Sequence, residues 1–229
     1  MAVCNSFVTP ALSLRNCLAF VNAVLVPRAR SLSAPASRLL VTAVSGIGNA
    51  RPGAVIDGLI LPLICEGDPA GVGSAQCELC TRLIKQTLPK HTLEAVLVGL
   101  CSSKVDQNAH TSGWQQGAGS GGGSGGSTNS PGQASCVWTE LTMPVITAAL
   151  NLKPALSDTA IVVLVRRVEM ASEKPQLQKS LKFTTLVHGL VTRYGPQLKP
   201  FLPVLRAAIA RCSTFMVKAV LAALKRLDK

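Results

Sequence analysis

The sequence predicts an all-α fold in which antiparallel helical hairpins stack on one another. Three observations carry this. Hydrophobic residues make up 48% of the 229 positions and charged residues 15%, so the chain can fill a core and is not disordered overall. Aromatics reach only 3%, which leaves Leu, Val, Ala and Ile to build that core, and cores of this kind favour helices over a β-sandwich. Apolar stretches of helical period are separated by short Pro- and Gly-containing turns, which make neighbouring helices antiparallel.

From the N-terminus, Leu12, Leu14, Leu18, Val21 and Leu25 read as core positions of a first helix. Turn signals follow at Pro10, Pro27, Pro35, Pro52, Gly67 to Gly73, Pro89, Asn151 to Pro154, Pro175 and Gly195-Pro196. About ten helices fit between them. Helix starts are marked by Ser33 or Ala34, by Ser74, by Ser157 and by Thr214, each with a side chain or position suited to an N-cap. Cys80, Leu83, Ile84 and Leu88 share one helical face, as do Phe183, Leu186, Val187, Leu190 and Tyr194. Residues 158–171 pair with 179–194, and 197–211 pair with 214–227. The period is roughly 35–40 residues with weak self-similarity. A hairpin cannot bury its own apolar stripe, so stacking hairpins into an α-solenoid is the natural solution.

One stretch breaks the pattern. Gly117 to Ser127 is almost wholly Gly and Ser, a flexible coil by composition. It divides the chain into an N-terminal helical-repeat block, 1–103, a Gly/Ser-rich loop, 104–135, and a C-terminal helical-repeat block, 136–229, the two blocks forming one elongated domain. Trp114, isolated in the loop, is expected to face solvent.

The net charge is +12 and uneven. From Arg166 to Lys229 there are 13 Lys and Arg against 3 acids, and the first acid of the chain is Asp57. Such a surplus suits nucleic acid, a membrane surface or an acidic protein. No apolar run is long enough to span a bilayer. The acid-free opening, with Arg and Ser, has the composition of a mitochondrial transit peptide, but its leucines equally suit a folded helix. The eight cysteines lie mostly within apolar helical runs, the pattern of reduced, buried thiols.

Catalytic parts are scarce. Cys77-Glu-Leu-Cys80 is a C-x-x-C, but zinc needs two more ligands at suitable spacing, and only His91 and Cys101 are near in sequence. Gly117, Gly119 and Gly122 match G-x-G-x-x-G only inside the low-complexity loop, with no strand before them. His91, His110 and His188 are far apart, and Glu169 and Glu173 suit ion pairs with Arg166 or Arg167 better than acid–base work. A non-enzymatic scaffold without metal or cofactor is therefore expected.

The last helix offers a candidate surface. At about 100° per residue, Met216, Val217, Val220, Leu221, Ala223, Leu224 and Leu227 form one arc, and Lys218, Lys225, Arg226 and Lys229 the other. Phe215 projects into the basic arc. It cannot be buried there without burying lysines, so it is a candidate anchor for a partner; the alternative is local packing against the preceding helix.

Five strings, in order along nearly the whole chain, resemble one family, the C-terminal domain of Fanconi anaemia group E proteins. They are Ser31 to Leu40 with its Ala-Ser-Arg-Leu-Leu, Gly73 to Cys80 around Ala-Gln-x-Glu-Leu, Arg167-Val-Glu-Met170 followed by Ser172-Glu-Lys174, Thr192-Arg-Tyr194, and Thr214-Phe-Met-Val-Lys218 with Ala222-Ala-Leu-Lys225. The resemblance implies a right-handed stack of HEAT/armadillo-like Fanconi repeats. It implies a non-catalytic adaptor of the nuclear Fanconi anaemia core complex, a ubiquitin ligase. Such an adaptor binds the Fanconi anaemia group C protein, assembles with other core subunits, and recruits the group D-two protein for monoubiquitination in DNA interstrand crosslink repair. The family's terminal-repeat Phe falls on Phe215, and its following Leu is Met216, of similar volume. Phe215, Met216, Lys218, Lys225 and Arg226 are thus the expected substrate-recruiting residues. The alternative is a basic helical-repeat protein that binds DNA directly.

Overall fold

The computed structural model describes residues 13–65, 72–102 and 136–228. Every regular element among them is helical. Cys4, Pro10, Leu12, most of the Gly67 to Gly73 turn, His110, Trp114, the Gly/Ser segment and Lys229 lie outside the described residues.

The first helical stretch joins α1 (Leu14–Phe20), a π-helical turn (Val21–Leu25) and α2 (Val26–Arg30). Ser13 starts it by accepting the N–H of Asn16 at 3.3 Å. Pro27, expected to mark a turn, lies inside this stretch. The reason recurs in the next one, where α4 (Pro52–Val55), a π turn (Ile56–Ile60) and α5 (Leu61–Cys65) run together through Pro62. In both, the N–H just before the proline bonds a carbonyl five residues back, Val26 to Val21 and Leu61 to Ile56. The wider turn moves the carbonyl that the proline ring would strike, so the helix continues. The two π turns pack on each other. Gly58 permits this, because a Cβ there would sit 3.1 Å from both Leu18 and Val21.

Between them, α3 (Arg38–Ala50) is capped by Ser37, which accepts from Leu40 N–H at 3.3 Å, not by Ser33 or Ala34. The next helix, α6 (Ser74–Gln86), begins at Gly73 rather than at a Ser74 cap. Gln76, 4% exposed, is its fixing point. Its Oε1 accepts from Gly73 N–H at 3.1 Å, and its Nε2 donates to the carbonyls of Ala29, Arg30 and Leu32 at 2.9–3.2 Å. One amide thereby satisfies the open C-terminal end of α2.

A 3-10 turn (Lys90–Thr92) leads into α7 (Leu93–Cys101). After 103–135 come α8 (Met143–Asn151), α9 (Asp158–Ser172), α10 (Pro175–Gln178) and α11 (Leu181–Leu198). Ser157 caps α9 as expected, and Ser180 caps α11. The Gly195-Pro196 pair kinks α11 instead of ending it, with Tyr194 at φ −118° and ψ 19°. A 3-10 turn (Lys199–Phe201), α12 (Leu202–Ala210) and α13 (Val217–Leu227) complete the chain.

Helix contacts follow two runs. One passes α3, α6, α8, α11, α13; the other passes α5, α7, α9, α12. Contacts between the runs join α5 to α6, α7 to α8, α9 to α11 and α12 to α13. A single hydrophobic core extends from Cys17 to Leu224, so the two sequence blocks share one interior. Trp138 stands where they meet. It is 1% exposed, and its indole N–H donates to Leu100 O at 2.9 Å. Arg167, 6% exposed, lies 5.8 Å from the ring centroid and donates to Cys136 O. Of the two arginines expected to pair with Glu169 or Glu173, Arg167 instead turns its guanidinium inward at the block junction. The stripes of α6 and α11 are buried as read: Cys80, Leu83, Ile84 and Leu88, and Phe183, Leu186, Val187, Leu190 and Tyr194. In the first helix Val21 and Leu25 are core, while Leu14 is 46% exposed.

Candidate protein-docking site before the last helix

The turn between α12 and α13 is built by hydrogen bonds to two other elements. Cys212 N–H closes α12 on Ile209 O at 3.0 Å. Ser213 N–H then donates to Gln178 O at 3.0 Å, at the end of α10. Gln178 is held in turn, its amide donating to Ser172 O at 3.0 Å, while Arg211 donates to Ser172 Oγ at 2.9 Å. The next residue, Thr214, meets Thr184 of α11, Oγ1 to Oγ1 at 2.9 Å. The Thr184 hydroxyl is already directed at the carbonyls of Ser180 and Leu181, so Thr214 is the donor of this pair. The sequence reading of Thr214 as a side-chain helix cap is therefore corrected. Its hydroxyl points to α11, and only its carbonyl serves α13, accepting from Val217 N–H at 3.2 Å.

Phe215 follows at once and is 77% exposed, against 57% for Leu39, the next most exposed large apolar side chain among the described residues. Its exposure has a different origin from the helical wheel. The helix begins at Val217, so Phe215 precedes it and is displayed by the fixed turn. Met216 beside it is half-buried. On α13, Val220 and Leu224 are fully buried, and Lys218, Lys225 and Arg226 are exposed. Leu221, assigned to the apolar arc, is 38% exposed.

A groove of about 460 Å³ runs between α11 and α13, with His188 and Thr192 on one wall, Ala219 and Ala223 on the other, and Arg226 at its rim. Gly195 lines this groove, and a Cβ there would lie 2.6 Å from Leu227 Cδ2, so a larger residue would displace the Leu227 side chain. Arg206 and Asp228 form an ion pair that fastens the end of α13 to α12. The sequence reading missed the supports of this site, Ser172, Gln178, Thr184 and Arg211. Their partners are 30 or more residues away or are backbone atoms, and no local spacing signals either.

The chain matches no protein-family model and no curated protein.

The other motifs settle in the core. Cys77 is 5% exposed and Cys80 is fully buried, and both are free thiols. Burial, with a smaller contribution from Cys136, pushes the Cys77 thiol up to about 11, and burial pushes Cys80 up further. Such thiols are poor nucleophiles and poor metal ligands at neutral pH. Among the described residues no three His, Cys, Asp or Glu side chains gather closely enough to hold a metal ion, and no helix is long and apolar enough to cross a membrane.

Proposed function

We propose that this chain is a non-catalytic adaptor, a right-handed α-solenoid of Fanconi-type helical hairpins whose last hairpin docks a protein partner. The observation that carries the reading is Phe215, three-quarters exposed on a turn whose neighbours are tied to α10 and α11. An aromatic ring on a fixed support loses little conformational freedom on binding, which is how an interface hot spot gains affinity. Lys218, Lys225 and Arg226 supply positive charge on the same hairpin to steer an acidic partner. The two runs of helix contacts, each linking alternate helices, are what stacked hairpins require, and they support the solenoid reading.

The five strings shared with the Fanconi group E family give the adaptor its expected setting. It would belong to the nuclear core ubiquitin-ligase complex, bind the group C protein, and bring the group D-two protein to monoubiquitination. Purified chain is compared with its Phe215→Ala variant for binding to the group D-two protein. The expected result is affinity weaker by about 30-fold, roughly 2 kcal/mol, with an unchanged melting temperature. Equal affinity, or a lost fold, overturns it.

The exposed Lys218, Lys225 and Arg226, within a chain of net charge +12, favour direct DNA binding as the second reading. That reading requires an affinity for duplex or forked DNA that falls steeply with salt and exceeds that of an unrelated protein of equal charge.

A further inference from the structure

Cys65 and Cys136 lie together at the junction of the two sequence blocks. Cys65 is the last residue of α5 and half-buried, so an oxidant in solvent can reach it. Cys136 is 1% exposed, with its Sγ 4.0 Å from the carbonyl oxygen of Ile64, the residue before Cys65. The Cys65 Sγ in turn lies 4.0 Å from the carbonyl oxygen of Gly99 on α7, so both sulfurs sit at the C-terminal end of α5. On its other side, the Cys136 carbonyl accepts from the Arg167 guanidinium, which holds this segment beside α9. Cys65 closes a helix and Cys136 precedes one, so neither sulfur needs a helix interior to deform in order to move.

We propose that Cys65 and Cys136 form a reversible oxidation site, joined as a disulfide by a peroxide-class oxidant. The accessible Cys65 thiol loses its proton to solvent as its sulfur attacks hydrogen peroxide, the S–O bond of the sulfenic acid forms, and the O–O bond breaks to release water. The Cys136 thiolate attacks the Cys65 sulfur, the S–S bond forms, and the S–O bond breaks, its oxygen leaving as water after protonation. In sum two thiols and one peroxide give one disulfide and two waters, and a dithiol reverses the change. The surroundings favour Cys136 as the attacking sulfur. Hydrogen bonding from Cys65, opposed by burial and aided by the positive charges of Arg167 and Lys174, holds its thiol below the ordinary range, whereas burial pushes Cys77, Cys80, Cys101 and Cys212 up. The bond would link α5 to the segment that enters α8, across the junction sealed by Trp138 and Arg167. It would close a long loop of chain and constrain the unfolded state.

The test treats the fully reduced, full-length chain with hydrogen peroxide, blocks the remaining thiols with N-ethylmaleimide, and maps peptides by mass spectrometry without reduction. The expected result is a Cys65–Cys136 linked pair, a melting temperature raised by roughly 5–10 °C, and loss of both on adding dithiothreitol. The Cys65→Ser variant, altered at a half-buried helix end, should fold, melt like the reduced wild type and gain neither change under peroxide. The proposal fails if Cys136 is recovered alkylated, if Cys65 accumulates as sulfinic acid, if Cys136 links to another cysteine, or if Cys65→Ser shows the same peroxide-induced rise.

Discussion

Trp138 and Phe215 each precede a helix packed in the same run of contacts, yet one ring is 1% exposed and the other 77%. Both sit on segments fixed by hydrogen bonds, so local order does not separate them. What does is the supply of partners around the ring. Trp138 has Leu100 O for its indole N–H, the Arg167 guanidinium near its face, and the core that joins the two sequence blocks. Around Phe215 the hydrogen bonds go to backbone and hydroxyl groups beneath it, and the ring receives nothing. The first aromatic spends its apolar surface on the fold; the second keeps it available.

Replacing the two rings should split their effects cleanly, and the largest change is expected at Trp138. Trp138→Ala removes a filled core volume and the indole donor to Leu100, and should cost about 3–5 kcal/mol in denaturant unfolding. A loss below about 1 kcal/mol would mean that the blocks do not depend on this seal. Phe215→Ala should leave unfolding within about 0.5 kcal/mol of wild type, while partner binding weakens by roughly 2 kcal/mol. A stability loss as large as that of Trp138 would erase the distinction between the rings.

Smaller effects test the support rather than the ring. Thr214→Val removes the hydroxyl donated to Thr184 and should cost about 1 kcal/mol of stability by chemical denaturation. If display depends on a fixed turn, partner affinity should also fall several-fold although Phe215 is untouched, as a binding titration would read. Neutralising Lys225 and Arg226 to Gln should slow association with an acidic partner at low salt and converge with wild type at high salt. A loss concentrated in the dissociation rate would instead put these cations inside the interface.

The helical periods of α6 and α11, the buried cysteines, the cap at Ser157 and the short turns at Pro35, Pro89 and Asn151 to Pro154 could all be read from spacing and turn chemistry, because each depends on neighbours within about one helical turn. Pro27 and the Gly195-Pro196 pair misled for an identifiable reason. A proline ends a helix only if the chain cannot widen the preceding turn or kink, and this chain widens the turn before Pro27 and kinks at Gly195-Pro196. Arg167 misled similarly. Its carboxylate neighbours are near in sequence, but the ring and carbonyl it serves come from across the molecule.

Sequence alone determined that this is a basic all-helical chain and that Phe215 stands apart from the core-forming residues. Only the tertiary structure decided that the ring is displayed from a turn rather than from the helix, because the turn is defined by bonds from Ser213 to Gln178 and from Thr214 to Thr184. Those bonds join residues 30 or more positions apart, and no pattern along one helix can encode which distant atoms will complete it.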